Sequence, residues 1–139
     1  MTDREQLLAL MPPPIISAAA ERQVEGTTLH DRLGNCFELS ARLVTSQDDA
    51  EGVELVHGSI QGDGHPRIAH AWIETGNRWA YDPVADVWLP TDAYQVLFGA
   101  RPERFYAPAE VNRWCAVTGH WGAWEDLDWP YKELGSDDI

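Results

Sequence analysis

Residues 67–74 and 78–82 are two short apolar, β-branched and aromatic runs, and the Thr75, Gly76 and Asn77 turn between them folds the chain back on itself. An antiparallel hairpin is therefore the strongest constraint in the sequence. A three-residue loop centred on Gly76 pairs Glu74 with Arg78, Trp72 with Ala80 and His70 with Asp82. Asn77 suits the last loop position because it tolerates left-handed backbone. Cross-strand neighbours have Cβ atoms about 4.5–5.5 Å apart, close enough for a carboxylate to accept from an imidazole N–H. A two-residue turn would instead send His70 and Asp82 to opposite faces.

Helical and extended signals surround this hairpin. Residues 3–11 read as a short helix stopped by Pro12, Pro13 and Pro14, and residues 16–24 as a second one. Residues 26–34 form a polar approach to a helix that starts near Cys36, with Asn35 as its cap and Phe37, Leu39, Leu43 and Val44 as its apolar positions. After an acidic turn at 47–52, residues 53–60 suit a strand closed by Gly62, Gly64 and Pro66. Residues 91–99 suit a helix capped by Thr91 or Asp92 and stopped by Gly99. Beyond Pro102 the chain reads as aromatic and irregular. Helices followed by consecutive antiparallel strands make an α+β pattern rather than alternating βαβ units. We divide the single expected domain into N-terminal helices and approach (1–33), a core (34–124) and an acidic tail (125–139).

With 139 residues and 44% hydrophobic content, the chain can bury most of its apolar surface in one core. Its 10 basic and 23 acidic residues give a formal charge of −13, which opposes binding to nucleic acid or anionic lipid, although such surfaces commonly serve solubility alone. No run reaches the roughly 18–20 uninterrupted apolar residues of a membrane span, and the prolines interrupt any export-signal core. Two cysteines are too few for a disulfide scaffold, so free thiols in a cytoplasmic setting are expected.

A cysteine at a helix start gains thiolate character from the unpaired N–H groups and partial positive charge there. Cys36 occupies that place, and Gly34 lets the chain turn tightly into the helix while leaving the thiol uncovered. Cys36 as nucleophile, His70 as base and Asp82 as the group that orients the base complete the arrangement used for acyl transfer. Singly, each has a plainer reading: a core thiol, a sheet histidine and a turn former before Pro83.

The runs Gly34-Asn35-Cys36-Phe37-Glu38, His70-Ala71-Trp72-Ile73-Glu74 and Trp79-Ala80-Tyr81-Asp82-Pro83 together resemble the core of the transglutaminase-like, papain-like superfamily of cysteine enzymes. The resemblance covers residues 34–83. It implies a papain-like core with the nucleophile helix packed on a small antiparallel sheet, a Cys36, His70 and Asp82 triad, a protein or peptide amide as substrate and no cofactor. Two departures are visible. Phe37 stands where members commonly have Trp, and no Gln lies in the segment just before Cys36 to complete a papain-type oxyanion hole, leaving the Cys36 N–H, with His30 as a distant alternative. The run Arg32-Leu33-Gly34-Asn35-Cys36-Phe37-Glu38 is also similar to the arylamine N-acetyltransferase signature, with Leu33 departing from it; those enzymes carry further domains, so coenzyme A is not implied.

Most of the seven tryptophans must pack, while residues 118–124, with glycines, His120, Trp121 and Trp124, suit a loop over the site. Cys115 and His120 fall short of the three or four ligands of a zinc site. His57 and His65 are expected at the surface or on a strand, and Glu38 with Arg42 as an ordinary helix pair. A hydrolase or acyltransferase leads. The contrasting reading is an inactive module of the same fold that binds a protein partner through an acidic, Trp-rich surface.

Overall fold

A computed structural model describes residues 14–46 and 52–124. The helix expected at 3–11, most of the acidic turn and the tail at 125–139 lie outside the described residues. The order is α1 (Pro14–Val24), α2 (Leu29–Arg32), α3 (Cys36–Thr45), β1 (Val53–Ile60), β2 (Ile68–Thr75), β3 (Trp79–Asp82), β4 (Val87–Pro90), α4 (Thr91–Phe98), β5 (Arg101–Tyr106) and α5 (Pro108–Thr118). The five strands form one antiparallel sheet in the order β4-β3-β2-β1-β5, so the chain is α+β as the sequence implies. Among the described residues no helix is long and apolar enough to cross a membrane.

The central hairpin forms, with its register moved by two residues. Ile73 pairs with Tyr81 and Glu74 with Ala80, which shifts the loop to Gly76, Asn77 and Arg78. The expected direct pairing of His70 with Asp82 is therefore corrected to a diagonal one. The cause lies at the turn: Arg78, not Asn77, takes the left-handed backbone (φ 67°), and its N–H closes onto the Thr75 carbonyl at 3.0 Å. Contacts with the next element hold Arg78 there, since its carbonyl accepts from Thr91 N–H and its guanidinium meets Asp92. A shift of two keeps side-chain parity, so His70 and Asp82 still share a face.

Each sheet face has its own core. Leu55, Ala71, Ile73 and Tyr81 pack with Ile16, Ala41, Leu43 and Val44 of the helices on one face, while Val56, Trp72 and Ala80 pack with Tyr94 of α4 on the other. Pro14 begins α1, a position where the missing donor costs nothing. In the approach segment the single turn α2 is closed by a capping box, with Thr28 Oγ1 accepting from Asp31 N–H and Asp31 accepting from Thr28 N–H.

Beyond Pro102, where irregular chain was expected, β5 and α5 form instead. As an edge strand β5 buries only Tyr106 fully, and α5 buries only Val111, so neither carries a strong apolar pattern. The terminus signals of α5 were present: Pro108 at its start, Glu110 accepting from Ala107 N–H at 3.0 Å, and Gly119 ending it in left-handed backbone. Strand β4 was likewise unexpected; a tight turn in which Asp86 N–H bonds the Asp82 carbonyl at 2.8 Å sets it beside β3.

Candidate active site

Cys36 is the first residue of α3, as its sequence position implies. The expected cap does not form: Asn35 makes no side-chain bond to the helix, and its Nδ2 donates back to the Asp31 carbonyl at 3.0 Å. The first helical bond runs from Leu39 N–H to the Asn35 carbonyl, so the N–H groups of the opening turn have no intrahelical partner. The sulfur thus sits at a helix end whose positive pole the Asn35 side chain does not cap.

His70 is the third residue of β2 and Asp82 the last of β3. Their diagonal placement is spanned by the long imidazole, and His70 Nε2 donates to Asp82 Oδ2 at 2.8 Å. A carboxylate can only accept, which fixes the proton on Nε2 and leaves Nδ1 for the thiol. Cys36 lies close enough to the same ring for its sulfur to act on the charge of the imidazole. All three residues are nearly closed off, with exposures of 8%, 6% and 1% for Cys36, His70 and Asp82.

Burial alone would pull the His70 pKa down, but the hydrogen bonds and charges of Asp82 and Cys36 outweigh it and push the imidazole up to about 10. For Asp82 burial acts upward, yet the bonds from His70, Tyr94 and the Ala85 N–H hold the carboxyl below its ordinary value. Around neutral pH the pair is an imidazolium beside a carboxylate.

The turn-former reading of Asp82 holds beside its bond to His70, whereas its bond from Tyr94 was not visible in the sequence. Its Oδ1 accepts from the N–H groups of Val84 and Ala85 at 2.9 and 3.1 Å, a turn of the type aspartate makes with its own backbone. Its Oδ2 accepts from the buried Tyr94 hydroxyl at 2.7 Å. Arg32 Nε donates to the Val84 carbonyl at 3.0 Å, linking the segment before Cys36 to the turn after Asp82. Only the Thr-x-x-Asp pattern before Arg32 hinted that this segment was ordered.

The remaining candidates lie elsewhere. His30 and His65 are exposed, and the exposed His120 accepts from Gly122 N–H through Nδ1. The loop at 119–124 lies on β1 and α3: Trp124 stacks near His57 and Trp114, and Trp121 lies under Arg42. Trp124 is only 1% exposed, so it is core cover rather than groove lining. Among the described residues no three His, Cys, Asp or Glu side chains converge as a metal site. Compared with family models, with curated proteins and with solved structures, the chain matches none.

Proposed function

We propose that the protein is a cysteine-dependent acyl-transfer enzyme with a papain-like, transglutaminase-like core, acting in a reducing cytoplasm on a protein or peptide amide. The observation that carries this reading is the imidazole of His70, bonded through Nε2 to Asp82 at 2.8 Å and close enough to Cys36 for the sulfur to act on its charge. An imidazolium next to a sulfur at a helix start favours the thiolate. The Cys36 sulfur attacks the amide carbonyl carbon while the opening N–H groups of α3 receive the oxyanion charge. The C–N bond breaks as His70 passes its Nδ1 proton to the departing amine, leaving a thioester on Cys36. Water or a second amine then loses a proton to Nδ1 as it attacks the thioester, and the thiolate leaves. Both cysteines are free thiols.

A peptidyl vinyl sulfone, which adds irreversibly to an active thiolate, tests the reading. Mass spectrometry should find one adduct, on Cys36, and none on Cys36→Ala or His70→Ala. Adducts on Cys115 alone, or an undiminished Cys36 adduct in His70→Ala, would overturn it. The near closure of Cys36 and His70 favours a second reading, an inactive module of the same fold that binds a protein partner. That reading requires wild-type protein to resist the probe.

A further inference from the structure

We propose that Tyr94 is a positioning residue for the acid-base pair: its hydroxyl, bonded to the same Asp82 oxygen that holds His70, pins the carboxylate and limits its pull on the imidazole proton. This role rests on the acyl-transfer reading of Cys36, His70 and Asp82. Four donors converge on one buried carboxylate, the Val84 and Ala85 N–H groups on Oδ1 and the Tyr94 hydroxyl and His70 ring on Oδ2. The two backbone donors fix the carboxylate plane. Tyr94 occupies acceptor capacity on Oδ2 that His70 would otherwise command alone.

The hydroxyl cannot drift, because the Tyr94 ring is fully buried between Trp72, 5.3 Å away, and Phe98, 4.6 Å away. Burial and the charge of Asp82 push the phenol pKa up, so it remains a donor and does not compete for the proton. The ionisable groups bearing on this carboxylate and phenol are His70 and Glu74 from β2, Cys36 from α3, Tyr94 from α4 and Tyr81 from β3, with Asp86 and Arg32 acting on Tyr81. Among them only His70 and Tyr94 donate a side-chain hydrogen bond to Asp82. Each donor to a carboxylate lowers its basicity by about one pH unit. A less basic Asp82 leaves the Nε2 proton on His70, so the ring stays an imidazolium until it passes its Nδ1 proton to the leaving amine.

Tyr94→Phe removes the hydroxyl and keeps the ring; Phe98→Leu loosens the same ring and keeps the hydroxyl. The readout is the far-downfield proton signal of His70 Nε2–H, followed on acidification until protonation of Asp82 abolishes it. In Tyr94→Phe the midpoint should rise by about one pH unit and the signal move downfield, whereas Phe98→Leu should leave both near wild type. Should Tyr94→Phe fold poorly, 3-fluorotyrosine at position 94, a stronger donor, should move the midpoint down. Equal behaviour of Tyr94→Phe and Phe98→Leu, or no movement with 3-fluorotyrosine, would overturn the role. On a peptide amide that wild type turns over, kcat should fall about tenfold with KM unchanged. A shifted midpoint in a protein that forms no acyl adduct on Cys36 would instead sustain the positioning of Asp82 and reject the acyl-transfer reading.

Discussion

Two buried histidines on neighbouring strands meet opposite fates. His70 on β2 has Asp82 on one ring nitrogen and Cys36 beside the ring, and its pKa is pushed up to about 10. His57 on β1 is fully buried with no hydrogen-bond partner for either nitrogen among the described residues, and burial drives its pKa down to about 3. Phe37, Tyr106 and Trp124 enclose it with ring centroids 4.8, 5.0 and 5.0 Å away. The two differ by strand parity: His57 is on the face covered by α3 and α5, while His70 shares a face with Tyr94 of α4. Burial alone turns an imidazole into a neutral packing ring. Burial with a carboxylate turns it into a held cation.

Removing the carboxylate should erase the difference at the greatest cost. Asp82→Ala leaves a buried imidazolium unpaired and should lower unfolding free energy by about 3–5 kcal/mol at pH 7 in urea titrations. A loss below about 1 kcal/mol would mean the pair is not charged. In the other direction, His57→Phe fills the aromatic box with a ring that cannot protonate. As pH falls through the window from 6.5 to about 3, the unfolded state of the wild type takes up a proton at His57 that the folded state refuses. The wild type should therefore lose about 1.4 kcal/mol per pH unit relative to His57→Phe across that window. Parallel stability curves would show that His57 has a partner.

Signs differ at the functional pair. The raised His70 contributes its full stability below 6.5 and loses it as pH climbs through about 10, and the lowered Asp82 contributes above 3.8 and loses it as pH falls through its folded value. Gly58, the partner of His70 on β1, sharpens the comparison by sterics. A Cβ there would lie 2.2 Å from the Arg101 carbonyl oxygen and 2.8 Å from the Trp72 ring, so Gly58→Ala should cost about 1–3 kcal/mol and disturb the environment of His70. Chemical shifts of the His70 ring check the second part. The smallest effect belongs to Glu38→Gln, which breaks an exposed 3.0 Å pair with Arg42 and should cost about 0.3–0.5 kcal/mol in the same titrations.

How much of this was legible in the chain varies by element. The helix at Cys36, strand β1 and the Gly99 stop of α4 follow from short-range signals, and all three formed. The face shared by His70 and Asp82 was legible because parity survives a shift of two; the register itself was not, since Arg78 is held in its left-handed backbone by residues 91 and 92. The failure of Asn35 to cap α3 was hidden for a similar reason, its amide having a competing carbonyl one turn back at Asp31. Tyr94 lay inside the expected helix, yet nothing local connects it to a carboxylate twelve residues earlier. His57 was placed on a strand or at the surface, and its burial depends on β5 and α5, the elements whose patterns were too weak to read.

The central claim, that the buried imidazolium activates Cys36, is tested most directly by competing the two thiols. Cys115 is half-exposed, with burial raising its pKa, whereas Cys36 is only 8% exposed, so accessibility alone predicts that Cys115 reacts first. With limiting iodoacetamide at pH 7, we predict that Cys36 is alkylated at least about tenfold faster than Cys115 and that His70→Ala removes this advantage. Equal rates in the wild type, or an advantage that persists in His70→Ala, would contradict the account.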